Sequence, residues 1–142
     1  MKASLVVKRP NAGRNRKVPQ QLFDHVILDV DDLERSREFY ERALAPLGVS
    51  VVMDRGERYA FGRADGKPQF WVAARGTPPA RGVHLAFAAV DRGAVDEFHR
   101  AALAAGGKDN GAPGPRPQYH RTYYGAFVLD PDGNNVEAVH HG

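Results

Sequence analysis

Cysteine is missing from all 142 residues, which removes disulfides, thiolate metal ligands and a cysteine nucleophile from consideration. Any bound metal must then be held by nitrogen and oxygen. No apolar run approaches the roughly 20 residues that span a bilayer, and no charged, apolar and small-residue secretion pattern opens the chain. A cytoplasmic protein with no membrane partner is expected. Acidic and aromatic residues are absent from the first 20 positions, which hold Lys2, Lys8, Arg9, Arg14, Arg16 and Lys17. The formal charge of +3 therefore conceals 14 basic against 17 acidic residues over the rest of the chain, a formal −3. A basic arm over residues 1–21 can meet a phosphate backbone. Lacking interleaved aromatics, it reads instead as a leader, and no nucleic-acid partner is expected. The remaining residues, 22–142, suit one domain with a proper core.

What the chain does contain is an internal repeat. A shift of 59 positions lays Glu38 to Leu44 on Glu97 to Leu103, His25 on His84 and Asp32 on Asp91. Two equivalent histidines are thus expected to face each other across a pseudo-two-fold axis. The alternation of Phe23, His25 and Ile27 with Asp24, Val26 and Leu28 predicts a strand over residues 23–30. Asp31 and Glu34 stand at capping-box spacing, and Tyr40, Ala43, Leu44 and Leu47 form an apolar face. These predict a helix over 32–45, stopped by Pro46 and Gly48. Strands are expected over 49–54, 57–63 and 68–74. After the Pro- and Gly-rich residues 76–82 the order recurs, with a strand over 83–90 and a helix capped by Asp91. That helix carries the stripe Val95, Phe98, Ala102 and Leu103 and ends at Gly106 and Gly107. Strands near 108–111, 122–130 and 134–140 follow. Each half reads β-α-β-β-β, so the fold is α+β, built from tandem modules over 22–76 and 82–142. The linker is too short for them to stand apart.

This order, with the strings Phe23-Asp24-His25-Val26, Glu38-Phe39-Tyr40 and Leu129-Asp130-Pro131-Asp132-Gly133-Asn134-Asn135-Val136-Glu137, resembles the vicinal oxygen chelate superfamily. That group includes glyoxalase I, fosfomycin and bleomycin resistance proteins and type I extradiol dioxygenases. The resemblance covers residues 22–140 and implies a curved, cupped mixed sheet of the glyoxalase type. It further implies metal ligands on the first and last strands of each module: His25, His84 and Glu137. The fourth place falls on Phe70 when Asp65-Gly66 is laid on Asp132-Gly133, or on Gln69 or Trp71 after a slip of one residue. Phe70 has no metal-binding atom, and Phe70 and Trp71 become candidates to touch substrate, although Trp71 is as simply explained by packing.

Two imidazoles and a carboxylate imply a divalent iron, manganese, zinc, nickel or cobalt ion. The implied partner is a small molecule with neighbouring oxygens, chelated while the ion stabilises an enolate or alkoxide in a lyase or isomerase reaction. Two alternatives stand beside this: an iron-dependent extradiol dioxygenase, whose pattern expects a tyrosine where Phe127 stands, and a metal-free protein that sequesters a ligand, as in bleomycin resistance. A homodimer is also implied. Whether one chain closes its own cavity or exchanges halves with a second chain is open.

Residues 111–124 hold the other concentration of chemistry. Their Pro and Gly content argues against a regular element, and the segment is expected to cover the site as a lid. His120 is the acid/base candidate, since imidazole titrates near neutral pH. Arg116 and Arg121 are candidates for a substrate carboxylate or phosphate. Tyr123 and Tyr124 either orient a substrate oxygen or begin a strand and pack against the second helix. The turn Asp130-Pro131-Asp132-Gly133 needs no catalytic role, because Pro and Gly set its backbone angles.

Overall fold

A computed structural model describes residues 21–142, and the basic arm expected over 1–21 lies, apart from Gln21, outside the described residues. The first module runs β1 (Val26–Asp29), α1 (Leu33–Leu44), β2 (Ser50–Asp54), β3 (Arg58–Gly62) and β4 (Phe70–Ala73). The second repeats that order as β5 (His84–Ala88), α2 (Arg92–Ala104), β6 (Lys108–Pro115), β7 (Tyr123–Leu129) and β8 (Asn135–His141). Among the described residues no helix is long and apolar enough to cross a membrane.

Both helices start at a side-chain cap. Asp91 caps α2 as expected, accepting from the Ala94 amide at 2.7 Å. The cap of α1 is Asp32, one residue beyond the capping-box candidate, accepting from the Arg35 amide at 3.1 Å. Glu34 does not reach back to the cap. Its carboxylate accepts from the Tyr59 hydroxyl at 2.6 Å and ties the helix to β3.

The strands form two four-stranded sheets, ordered β1-β4-β3-β2 and β5-β8-β7-β6. In each, the first strand pairs in parallel with the last, and the remaining pairs are antiparallel. The tandem βαβββ organisation of the expected α+β fold is therefore present, as two four-stranded mixed sheets. Helix α1 covers one face of the first sheet, α2 covers one face of the second, and the helices pack on each other. Tyr40, Phe61 and Phe70 meet edge to face or tilted in this interior, with ring centroids 4.9 to 6.2 Å apart. Among the described residues the opposite face of each sheet carries no helix.

Strand β6 runs through Gly111, Pro113 and Gly114, where the sequence argued against a regular element. It can do so because it is an edge strand and its register against β7 slips twice, between Asp109 and Gly111 and between Gly111 and Gly114. Proline costs an edge strand no ladder bond, and bulges absorb the glycines.

The turn after β7 bolts the modules together. Asp130 accepts the Tyr40 hydroxyl of α1 at 2.5 Å, and its other oxygen accepts from the amides of Asp132 and Asn134 at 2.9 and 2.8 Å. Asn134 in turn donates to the Ala80 carbonyl at 2.9 Å and accepts from the Val83 amide at 3.0 Å. Burial, followed by the charge of Asp130, pushes the Tyr40 hydroxyl well above its ordinary pKa, so it stays a donor.

Candidate active site

Alternation decides which side chains share the helix-free face of the second sheet. His84 and Ala86 on β5, Glu137 on β8, and Tyr123, Gly125 and Phe127 on β7 all project there, because Ala86 and Phe127 are the register partners of Glu137 on either side. Glu137 is 1% exposed, a carboxylate buried on a sheet face. Both of its oxygens are engaged. His84 Nε2 lies 2.8 Å from Oε1, and the Tyr123 hydroxyl donates to Oε2. Burial first, and then this bond, drive the Tyr123 hydroxyl far above its ordinary pKa, so it remains protonated at any physiological pH.

A buried carboxylate needs such partners, since its charge is otherwise paid for in desolvation. His84 keeps about half of its side chain in solvent. The arrangement is therefore a buried anchor holding a presented imidazole. Phe127 flanks it, with its ring 6.0 Å from that of His84 and the Arg116 guanidinium 5.5 Å above it. Arg116 bonds only the carbonyls of Ala112 and Pro115, so its charge has no carboxylate partner among the described residues.

Gly125 is part of the site, and the sequence reading passed over it. A Cβ there would stand 3.0 Å from Glu137 Oε2 and 3.0 Å from the Tyr123 ring. An isolated glycine inside a strand is the signal that could have found it, since it marks a close approach.

The remaining candidates are placed elsewhere. His25 stands one residue before β1, its Nδ1 2.6 Å from Asp24, and Asp24 also binds Lys67. It does not join His84 and Glu137. Among the described residues no three His, Cys, Asp or Glu side chains gather in the manner of a metal site. The register also settles the fourth position. Ile27 pairs with Trp71 as Ala86 pairs with Glu137, so Trp71, and not Phe70, occupies the place of Glu137. The connection from Gly66 to β4 is longer than that from Gly133 to β8, which shifts the count by one. Trp71 lies on the helix-free face of the first sheet beneath Arg58, at 5.8 Å, whereas Phe70 is 5% exposed and faces the interior.

Tyr124 points opposite to Tyr123. Its hydroxyl donates to Asp96 of α2 at 2.7 Å, and Arg92 covers its ring at 4.8 Å. The His120 ring accepts from the Thr122 amide at 3.2 Å and its carbonyl from the Tyr123 amide at 3.1 Å, while the His141 ring stands between the two side chains, 6.0 Å from the ring of His120 and 5.1 Å from that of Tyr123. Arg121 is exposed.

Paired βαβββ modules with a histidine and a glutamate on adjoining strands define a recognisable class of protein. The chain belongs to the Glyoxalase/Bleomycin resistance protein/Dioxygenase superfamily, whose model matches residues 22–138. It is similar to a glyoxalase/bleomycin resistance protein from Albidiferax ferrireducens T118, at 34% identity and a TM-score of 0.73, over 86% of this chain and 100% of that one. A putative glyoxalase from Bacillus halodurans is 26% identical with a TM-score of 0.64, over 84% of this chain and 96% of that one. A lactoylglutathione lyase from Agrobacterium tumefaciens shares the fold at 22% identity and a TM-score of 0.62, over 87% and 95% of the two chains. No curated protein matches the chain at a significant level.

Proposed function

We propose that the chain is a divalent-metal-dependent enzyme acting on a small substrate with vicinal oxygens, and that its metal is shared between two copies. The observation that carries this is the 2.8 Å approach of His84 Nε2 to Glu137 Oε1. Two donors that bind one ion at about 2.0–2.2 Å lie about 3 Å apart when their bonds meet near a right angle. The pair thus already has the spacing of neighbouring ligands.

Two ligands fall short of the three that catalytic sites of this kind use. His25 is the natural third, and in this reading it comes from a second copy. Supporting that, β1 and β5 each stand at an edge of their sheet, paired on one side only among the described residues, and exposed apolar residues adjoin both. Phe23, before β1, is 71% exposed, and Val90, after β5, is 80% exposed. Such residues are expected where another surface docks.

When bound, the ion supplies Lewis-acid stabilisation to an oxyanion developing on the substrate. The chain's own residues do the rest. Tyr123 fixes the Glu137 carboxylate by holding Oε2, and Phe127 and Gly125 shape the floor beside it. Arg116, free of carboxylates, is placed to take an anionic group of the substrate. His120 stands at the rim, beyond His141, where it can exchange protons with solvent.

The test is complementation between inactive variants. His25→Ala and His84→Ala each lose metal uptake as homodimers. Mixed after dissociation and reassociation, they form heterodimers in which one of the two shared sites is intact, so one ion per heterodimer is recovered, or about half an ion per dimer when random reassociation makes half of the dimers mixed. Metal content measured after gel filtration reads this directly. If mixing restores nothing although single variants are folded, the site is not shared. If the wild-type chain takes up no metal at all, the sequestering reading replaces the enzymatic one.

A further inference from the structure

We infer that the cavity along the free edge of β5 is a binding site for the body of an aryl or branched apolar small molecule bearing one anionic group. It measures about 850 Å³ and has His84 in its lining, which is within the range of ligand sites. Its floor is apolar. Phe61, Phe70 and Phe87 line it together with Val49, and the rings of Phe70 and Phe87 meet edge to face at 5.3 Å. Such a surface gains from removing apolar area from water and favours a ring that can join the cluster.

The rim supplies the charge. Arg63 lines the cavity and donates to the Ala88 carbonyl of β5 at 3.2 Å. Among the described residues it forms no ion pair, and the first 20 residues contain no carboxylate to provide one. Lys67, also on the rim, is already paired with Asp24. Asp65 also lines the cavity but forms no ion pair with Arg63, which leaves Arg63 as the cation available to an anion there, and a planar guanidinium suits a carboxylate or sulfonate. The presence of His84 at the same mouth orients the ligand, with its apolar body inside and its reacting end toward the imidazole. Only that orientation rests on the reading of His84 and Glu137 as the reactive pair.

Anilinonaphthalene sulfonate, an anionic aryl probe, and uncharged phenylnaphthylamine test the site by fluorescence titration of the full chain freed of metal. One anionic probe per chain is expected. Arg63→Gln is expected to weaken the anionic probe about tenfold and leave the neutral one unchanged. Ala88→Trp, which fills the mouth from an exposed position, is expected to abolish both. The inference fails if the anionic probe does not saturate, if Arg63→Gln weakens both probes equally, or if Ala88→Trp binds both undiminished. Metal uptake is measured on the same samples. Probe binding by a chain that takes up no ion when divalent metal is restored overturns the metal reading alone, and metal uptake by a chain that binds no probe overturns this inference alone.

Discussion

Glu137 is the residue on which the site turns, because a carboxylate at 1% exposure survives only if its oxygens are satisfied. His84 and Tyr123 divide that task between Oε1 and Oε2. Replacing Tyr123 with Phe removes one donor and leaves Oε2 buried without a partner. The expected cost is about 1–3 kcal/mol of stability in urea unfolding of the metal-free chain. Glu137→Gln restores a neutral group that can still accept, so the double variant is expected to recover part of that loss. A Tyr123→Phe variant as stable as the wild type would show that solvent reaches Oε2. These residues were legible in the sequence to different degrees. His84 and Glu137 sit on positions that the repeat and the Asp-Pro-Asp-Gly ending mark out. Tyr123 and Tyr124 could not be told apart, since neighbours on a strand face opposite ways and only the register of β7 against β8 decides which way.

At the level of helices and strands, periodicity carried most of the reading, and its failures have local causes. Glycine and proline count against a strand interior and so hide the second half of β6, whereas on an edge with two register slips they cost little. The equivalence of Phe70 with Glu137 failed because a turn-anchored count cannot see a longer connection. Gly107, just past α2, shows how tightly these elements meet. A Cβ there would lie 2.9 Å from the Ala102 carbonyl oxygen and 2.9 Å from the Phe39 ring, and closer still to Val128. Gly107→Ala is therefore expected to destabilise by about 1–3 kcal/mol through overpacking at the contact of α1 and β7. Thermal unfolding of the variant measures it. An unchanged midpoint would mean that Phe39 and Val128 can move aside at no cost.

For the whole molecule, the decisive question is how two helix-free sheet faces with unpaired edges are covered. Repetition in the sequence suggested that His25 and His84 face each other. Within one chain the helices instead take up the ground between the modules, and that choice depends on long-range packing that no local pattern records. Phe23→Glu combined with Val90→Glu places charge on two exposed positions, where the isolated chain is expected to lose no more than about 0.5 kcal/mol. Analytical ultracentrifugation is expected to find the variant monomeric at concentrations where the wild type is a dimer. A wild-type monomer, or a variant that still dimerises through this face, would set the shared site aside.

The seam between the repeats has a consequence of its own. Asn134 of the second copy grips Ala80 and Val83 of the connecting stretch, and Asp130 takes the hydroxyl of Tyr40 from the first copy. Splitting the gene at the linker would orphan those donors and acceptors in both fragments. Neither half is therefore expected to stand alone once it is severed from the other.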